Sequence, residues 1–332
     1  MKKLISFLIV TVLIICSLTA CNSEVPASVD SVEENTSHKL SVVTTIFPEY
    51  DWVMQILGDN AKNVDVTMLL DNGVDLHSFQ PTAEDIMKIS ACDVFIYVGG
   101  ESDEWVEDAL KEAANKDMIV INLLGVLGDK VKEEEIVEGM QPEDDEEEDE
   151  EEETEYDEHV WLSLKNAETL CDSIADALAK SDAENAEVYK NNLENYKTRL
   201  SNLDTKYSET ISAAKTKTLL FGDRFPFRYL TDDYGLDYYA AFVGCSAETE
   251  ASFETITFLA KKVDELSLKS VMTIEGDNHK IAETIVGSTK SKDQKILTLD
   301  SMQSTTSKDV ENGTTYLSIM TDNLSVLSEA LN

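Results

Sequence analysis

The stretch between residues 181 and 214 constrains this chain more than any other. Its apolar positions Tyr189, Leu193, Tyr196, Leu200, Leu203, Tyr207 and Ile211 fall three or four residues apart, the spacing that lines one face of a single α-helix. At ~1.5 Å per residue that helix is a rod of roughly 45 Å, stiff enough to join two lobes. The same alternation flanks it on both sides. Before it, β-branched runs at 40–46, 64–69, 93–98 and 118–122 alternate with helical patterns near 50–57, 82–90 and 105–114. After it, runs at 217–222, 237–243, 270–275 and 296–299 alternate with helices near 253–266 and 280–287, and a helix over 316–331 closes the chain. Strands alternating with helices predict parallel sheets covered on both faces. The expected fold class is α/β: two similar α/β lobes with parallel-type sheets, joined by one long rigid helix, with a ligand cleft between the lobes. In open sheets of this kind ligands bind beyond the carboxyl ends of the strands, so chemistry-bearing residues are to be sought there.

The start of the chain bears on its compartment. Met1-Lys2-Lys3, an apolar run from Leu4 to Ile15 and the small residues before Ala20-Cys21 read as a secretory signal over 1–20. A cysteine directly after the small residues predicts a lipoprotein signal, in which the Cys21 thiol takes a diacylglycerol; ordinary cleavage beside an incidental cysteine is the alternative. The domains expected are a signal peptide over 1–20, a flexible tether over 21–39 with lipidated Cys21, an N-terminal lobe over 40–180, the linking helix over 181–214 and a C-terminal lobe over 215–332. No later segment approaches the ~20 apolar residues needed to cross a bilayer. The protein is therefore expected to be exported, anchored by lipid to the outer face of the cell membrane, and monomeric.

Acid outweighs base, with 66 Asp and Glu against 27 Lys and Arg, a formal charge of −39. Of those acids 18 lie between Glu133 and Glu158, so the charge describes mainly one acidic loop, 133–158. Nucleic acid is excluded as a partner. The loop either concentrates divalent cations, through a potential screened beyond ~8 Å at physiological salt, or is a solubilising run. Beyond Cys16 and Cys21 there are three cysteines, Cys92, Cys171 and Cys245, an odd number that permits one disulfide at most. Cys92 precedes an apolar run and Cys171 lies on an apolar helical stripe, so buried free thiols are expected.

Two of the four histidines stand where a ligand site is anticipated. His77 closes the loop after the second strand, and His159 follows the acidic run at the start of a helix, before Val160-Trp161-Leu162. His38, in the tether, and His279, at a helix start, are expected to be solvated or locally hydrogen-bonded. The segments around the first pair carry more than the histidines themselves. Gly73 to Pro81, Asp157-Glu158-His159-Val160-Trp161, Ala91 to Gly99, Glu104-Trp105 and the last helix together resemble the metal-binding lipoproteins, the solute-binding proteins of zinc and manganese ABC importers. The resemblance covers essentially all of the chain after residue 40, with Leu76 and Glu158 where the family's two histidine motifs carry proline.

The resemblance implies His77 and His159 as first-lobe metal ligands. It also implies a second-lobe His or Glu three residues before a Phe and ten before Tyr-Gly-Leu. Phe227 and Tyr234-Gly235-Leu236 put Arg224 in that place, and a guanidinium has no lone pair to give a cation. Either neighbouring Asp223 reaches the ion instead, or water completes the sphere. The implied fourth ligand is Asp300, after the last short strand, with a turn or N-cap role as its alternative. A buried Arg224–Asp300 pair in the metal-free protein is a further expectation, which metal entry would have to break. Glu275 and Glu250, the latter in Glu248-Thr249-Glu250-Ala251-Ser252, are implied to line the cleft and orient the ligands.

Two imidazoles with carboxylates suit Zn2+, while Mn2+ tolerates the same set; an insertion before the second histidine favours zinc in this family, although here it holds no histidine before His159. The function implied is the extracytoplasmic component of an ABC importer that captures a transition-metal ion, zinc first, and delivers it to a permease and its ATPase. A manganese-binding member and a surface adhesin or structural lipoprotein with a degenerate site are the alternatives. Catalysis is not expected, since no H-E-x-x-H or comparable paired motif is present.

Overall fold

The structure is a computed structural model that describes residues 39–141, 155–246, 250–276 and 278–332. The expected signal segment, nearly all of the tether with Cys21 and His38, residues 142–154 of the acidic loop, and Glu248 lie outside the described residues.

The first block of alternation forms one sheet. Strands β1 (Ser41–Thr44), β2 (Asp65–Met68), β3 (Val94–Tyr97) and β4 (Ile119–Asn122) pair in the order β2-β1-β3-β4, every pair parallel. Helices α1 (Phe47–Leu57), α2 (Ala83–Ala91) and α3 (Trp105–Lys111) make the crossovers, followed by α4 (Leu123–Leu127) and α5 (Leu164–Ser181). Local chemistry sets the starts. Thr82 and Asp85 form a reciprocal capping box on α2, and Ser163 caps α5 by accepting from the Asn166 amide, each satisfying amides that the first turn leaves open.

Helix α6 (Ala186–Ala213) runs 28 residues, and all seven positions of its apolar stripe are buried. Beyond it come β5 (Thr218–Phe225), α7 (Arg228–Tyr234), β6 (Asp237–Val243), α8 (Phe253–Leu266), β7 (Ser270–Thr273), α9 (Lys280–Ser288), β8 (Lys295–Thr298), α10 (Ser307–Glu311) and α11 (Tyr316–Ala330). The second sheet is again parallel, in the order β6-β5-β7-β8, so both sheets place their second strand outside their first and their third on its other side. No helix among the described residues is long and apolar enough to cross a membrane.

Several features depart from the periodicity, the short helices α4 and α10 among them. Strand β5 runs three residues past its expected end, with a register shift between Phe221 and Arg224. Gly222 sits at that irregularity, where a Cβ would stand 2.5 Å from the Cα of Ala282 in α9, so the helix lies directly on the strand backbone. Helix α7 was not expected at all; it ends on Gly235 in the left-handed conformation at φ 63°, a place that suits glycine.

One apolar core joins the two sheets through α6 and the C-terminal helix, with Trp52, Trp161, Tyr207 and Tyr316 all buried. Three of its aromatics bond their polar tips to backbone carbonyls, while the Trp52 indole N–H and the Tyr196 hydroxyl are buried without a partner among the described residues. Trp161 Nε1 donates to the Ser301 carbonyl at 2.9 Å, Tyr316 Oη to the Trp161 carbonyl at 2.6 Å and Tyr207 Oη to the Met320 carbonyl at 2.6 Å. The first two bonds tie the segment after His159 to the loop after β8 and to α11, which places the carboxyl ends of the two sheets against one another.

Candidate metal centre

His77 sits on a one-turn 3-10 helix, Leu76–Ser78, in the loop after β2. Asp75 starts that turn by accepting from the His77 amide at 3.0 Å. The ring Nδ1 lies 2.8 Å from Ser102 Oγ, in the loop after β3. His159, fully buried, precedes a 3-10 turn, Val160–Leu162, that leads into α5. Asp157 Oδ1 accepts from both the His159 amide, at 2.8 Å, and its Nδ1, at 3.1 Å. A carboxylate can only accept, so the ring proton is on Nδ1 and Nε2 is left with its lone pair. The two Nε2 atoms face each other at 3.2 Å.

Two imidazole lone pairs at that distance require a proton or a cation between them. Burial, then the charge of His159, pull the His77 pKa down to about 3, so that ring is neutral at physiological pH. His159 moves the other way. Burial pulls it down, but the charge and hydrogen bond of Asp157, with Glu158 behind them, outweigh burial and raise it. The two shifts run in opposite directions, which makes His159 the more basic ring of the pair. A tetrahedral ion with Zn–N bonds of ~2.0–2.1 Å would set its two nitrogens roughly 3.3 Å apart, close to the spacing present.

Glu158, the residue standing in a proline's place, reinforces the first-lobe half. Its Oε1 accepts from the Ser102 amide at 2.9 Å, and its Oε2, which has no hydrogen-bond partner, lies 3.6 Å from His77 Nδ1. A Cβ on Gly100, whose φ is +84°, would meet Glu158 Oε1 at 2.3 Å, so that glycine serves both the turn and the carboxylate.

A third donor type arrives from the second sheet. Among the described residues His77, His159 and Cys245 bring two imidazole nitrogens and a thiol sulfur within 4.8 Å of one another. Cys245 follows β6 directly after Gly244, is half-buried, and forms no disulfide. Its amide donates to Glu134 Oε1 at 3.2 Å, and burial followed by the Glu134 charge pushes the thiol pKa well above its ordinary value. The sequence did carry a signal for this residue, because it stands at the carboxyl end of a strand, as His77 does.

The remaining candidates are not part of that three-residue cluster. Asp223 Oδ2 accepts from Thr273 Oγ1 at 2.6 Å and the Ile274 amide at 3.2 Å, inside the second sheet, and its Oδ1 accepts from the Arg224 amide. Asp300 Oδ1 accepts from the Met302 amide at 2.7 Å, a turn geometry, and burial followed by the Glu275 charge raises its pKa to about 7. Glu275 braces the same turn, accepting from the Ser301 amide and hydroxyl and the Gln303 amide. Glu250 is exposed, ahead of α8. The expected Arg224–Asp300 pair is not formed. Arg224 reaches across to Asp75 on the loop that carries His77, and that pairing, with Asp75 held against the His77 amide, holds the Asp75 pKa down despite its burial.

Comparison with known proteins agrees with this architecture. The family model described as ZnuA, zinc-uptake complex component A periplasmic, matches residues 42–330. The high-affinity zinc uptake system protein ZnuA of Bacillus subtilis is 30% identical over 317 residues, 95% of this chain and 93% of that protein. The zinc-binding protein AdcA of Streptococcus pyogenes is 30% identical over 293 residues, 87% of this chain but only 55% of AdcA, so the chain spans about half the length of that relative. Among solved structures, the Zn(II)-bound ZnuA-like domain of Streptococcus pneumoniae AdcA superposes with a TM-score of 0.68 at 27% identity, covering 88% of this chain and 99% of that domain. The metal-dependent lipoprotein YcdH of Bacillus subtilis gives 0.70 at 27% identity, with 88% and 99% covered. With the model spanning both sheets and the connecting helix, the chain belongs to the ZnuA family of zinc-uptake components.

Proposed function

We propose that this chain is the extracytoplasmic solute-binding component of a metal importer, capturing a zinc ion between its two lobes for delivery to an ABC permease and its ATPase. The observation that carries this is the pair of Nε2 atoms, 3.2 Å apart, with each Nδ1 engaged by a first-lobe partner. Outer partners of this kind fix the ring and keep the ligating nitrogen aimed. The names of the relatives, zinc-binding and zinc-uptake proteins, support zinc as the cargo. Binding rather than catalysis is the reading that those names also support. Because ligation requires unprotonated imidazole, affinity falls as the solution becomes acid.

The proposal includes export, a lipid on Cys21 and anchoring to the outer face of the cell membrane, supported by the lead sequence and by the pneumococcal relative named a zinc-binding lipoprotein. It also takes 40–180 and 215–332 as the two lobes and 181–214 as their connector, supported by the two sheets on either side of α6. In the organism that carries this chain, a strain lacking it should stop growing when zinc is chelated, recover with the wild-type gene and fail to recover with His159→Ala. Growth of the deleted strain equal to its parent under zinc limitation would defeat the transport reading.

A further inference from the structure

We infer that Cys245 is a metal ligand, so that the cargo is held by two first-lobe imidazoles and one second-lobe thiolate; this rests on the reading above that His77 and His159 hold a metal ion. Arg224 occupies the place where the resemblance implies a second-lobe donor, and its guanidinium is engaged with Asp75. Asp223 and Glu275 engage both carboxylate oxygens in hydrogen bonds within the second lobe, and Asp300 engages one of its two. Among the described residues Cys245 is the second-lobe residue whose donor atom clusters with the imidazoles, its sulfur lying within 4.8 Å of both ring donors. Cys92 and Cys171, by contrast, are buried in the core.

The backbone around Cys245 is built against the histidine. A Cβ on Gly244 would stand 3.0 Å from Cε1 and 3.1 Å from Nδ1 of His159, so the ring rests directly on that peptide. Cys245 is then anchored by its amide to Glu134. In a tetrahedral site with Zn–S of ~2.3 Å and Zn–N of ~2.0–2.1 Å, nitrogen and sulfur sit roughly 3.6 Å apart. The sulfur therefore has about 1 Å to move at most, a side-chain or small loop adjustment at the end of a strand.

As the metal–sulfur bond forms, the thiol gives up its proton to the adjacent Glu134 carboxylate, and from there to water. No electrons change hands, and one thiolate with two neutral imidazoles leaves a divalent ion with one net positive charge. The Asp75 carboxylate offsets the nearby guanidinium, so Arg224 does not repel the cargo. A thiolate ligand also discriminates, because soft sulfur suits zinc and is a poor partner for manganese.

Cobalt(II) reports the difference. Added to the stripped, reduced wild-type protein, it should give sulfur-to-cobalt charge-transfer absorption in the near ultraviolet, and Cys245→Ser should abolish that absorption. The same variant should bind zinc more weakly by more than the roughly 10–100-fold that loss of an outer partner costs, while its manganese affinity changes far less. Zinc should also protect Cys245 of the wild type from iodoacetamide, read by peptide mapping, a result that needs no variant to fold. Tight zinc binding with no charge-transfer band, or with undiminished alkylation of Cys245, overturns the thiolate and leaves the two histidines standing. Failure of the wild type to bind zinc at all overturns the functional reading beneath it.

Discussion

A methyl group at position 244 would meet the Phe225 carbonyl at 2.9 Å and the His159 ring at 3.0 Å. Gly244→Ala must therefore move either the strand end or the imidazole, and the strand end is the stiffer of the two. The expected outcome is a protein that folds but binds zinc roughly 10–100-fold more weakly, as when an outer partner of a ligand is lost, read by competition with a chromophoric chelator. Glu49 makes a different prediction. Fully buried, it accepts from the Thr45 amide and hydroxyl and the Ile46 amide through Oε2 alone, and burial with the Asp103 charge raises its pKa to about 8.

The folded state holds that proton over a range where the unfolded chain, titrating near 4.5, has released it. Stability contributed by Glu49 is thus greatest below the unfolded value and declines as pH rises toward 8. Urea midpoints at pH 5, 7 and 9 should fall less steeply for Glu49→Gln than for the wild type; equal slopes would contradict the assignment. At this scale the sequence pointed to His77 and His159 as candidates, because their surrounding motifs are contiguous in the chain, and the structure brings the two rings together. Ser102 and Cys245 are harder to read, since each meets the histidines only through a strand order that brings separate loops together, and the strand-end position of Cys245 does not by itself single it out.

Tyr229, on α7, acts between elements. Its hydroxyl accepts from the Lys132 amide at 3.0 Å and donates to the Asp157 carbonyl at 2.8 Å, so one second-lobe side chain holds both ends of the acidic segment. The Glu134 amide to the Glu155 carbonyl, 3.0 Å, and the isolated bridge between Glu133 and Tyr156 close the same neck. Tyr229→Phe leaves a buried carbonyl and amide short of a partner, and should cost about 1–3 kcal/mol in chemical denaturation. It should also loosen Asp157, the residue that fixes the His159 tautomer, and weaken zinc binding with it. An unchanged denaturation midpoint would show that solvent replaces the hydroxyl. The strands and longer helices were legible from their periods. Helix α7 and the irregularity in β5 were not, because a seven-residue helix offers too few turns to show a period and the Gly222 contact exists only once α9 packs on it.

For the whole molecule, the alternation on each side of the 181–214 stripe was enough to anticipate two parallel sheets, and their shared strand order extends that expectation. What periodicity could not disclose is how the carboxyl ends meet, which depends on bonds such as Trp161 to Ser301 and on the Arg224–Asp75 pair spanning the two sides. A ligand contacting both lobes binds the folded state alone. Free zinc at a hundredfold its dissociation constant should therefore raise unfolding stability by ~2.7 kcal/mol, with a matching rise in melting temperature. No rise would mean that the ion does not distinguish folded from unfolded chain.

The most direct measurement is a calorimetric titration of zinc into the chelator-stripped protein beside its His77→Ala variant at neutral pH. One ion per wild-type chain is expected at about micromolar affinity or tighter, with an affinity lower by at least roughly 10²-fold in the variant, more than loss of an outer partner alone would give. Millimolar binding by the wild type, or tight binding that survives in the variant, would contradict this expectation.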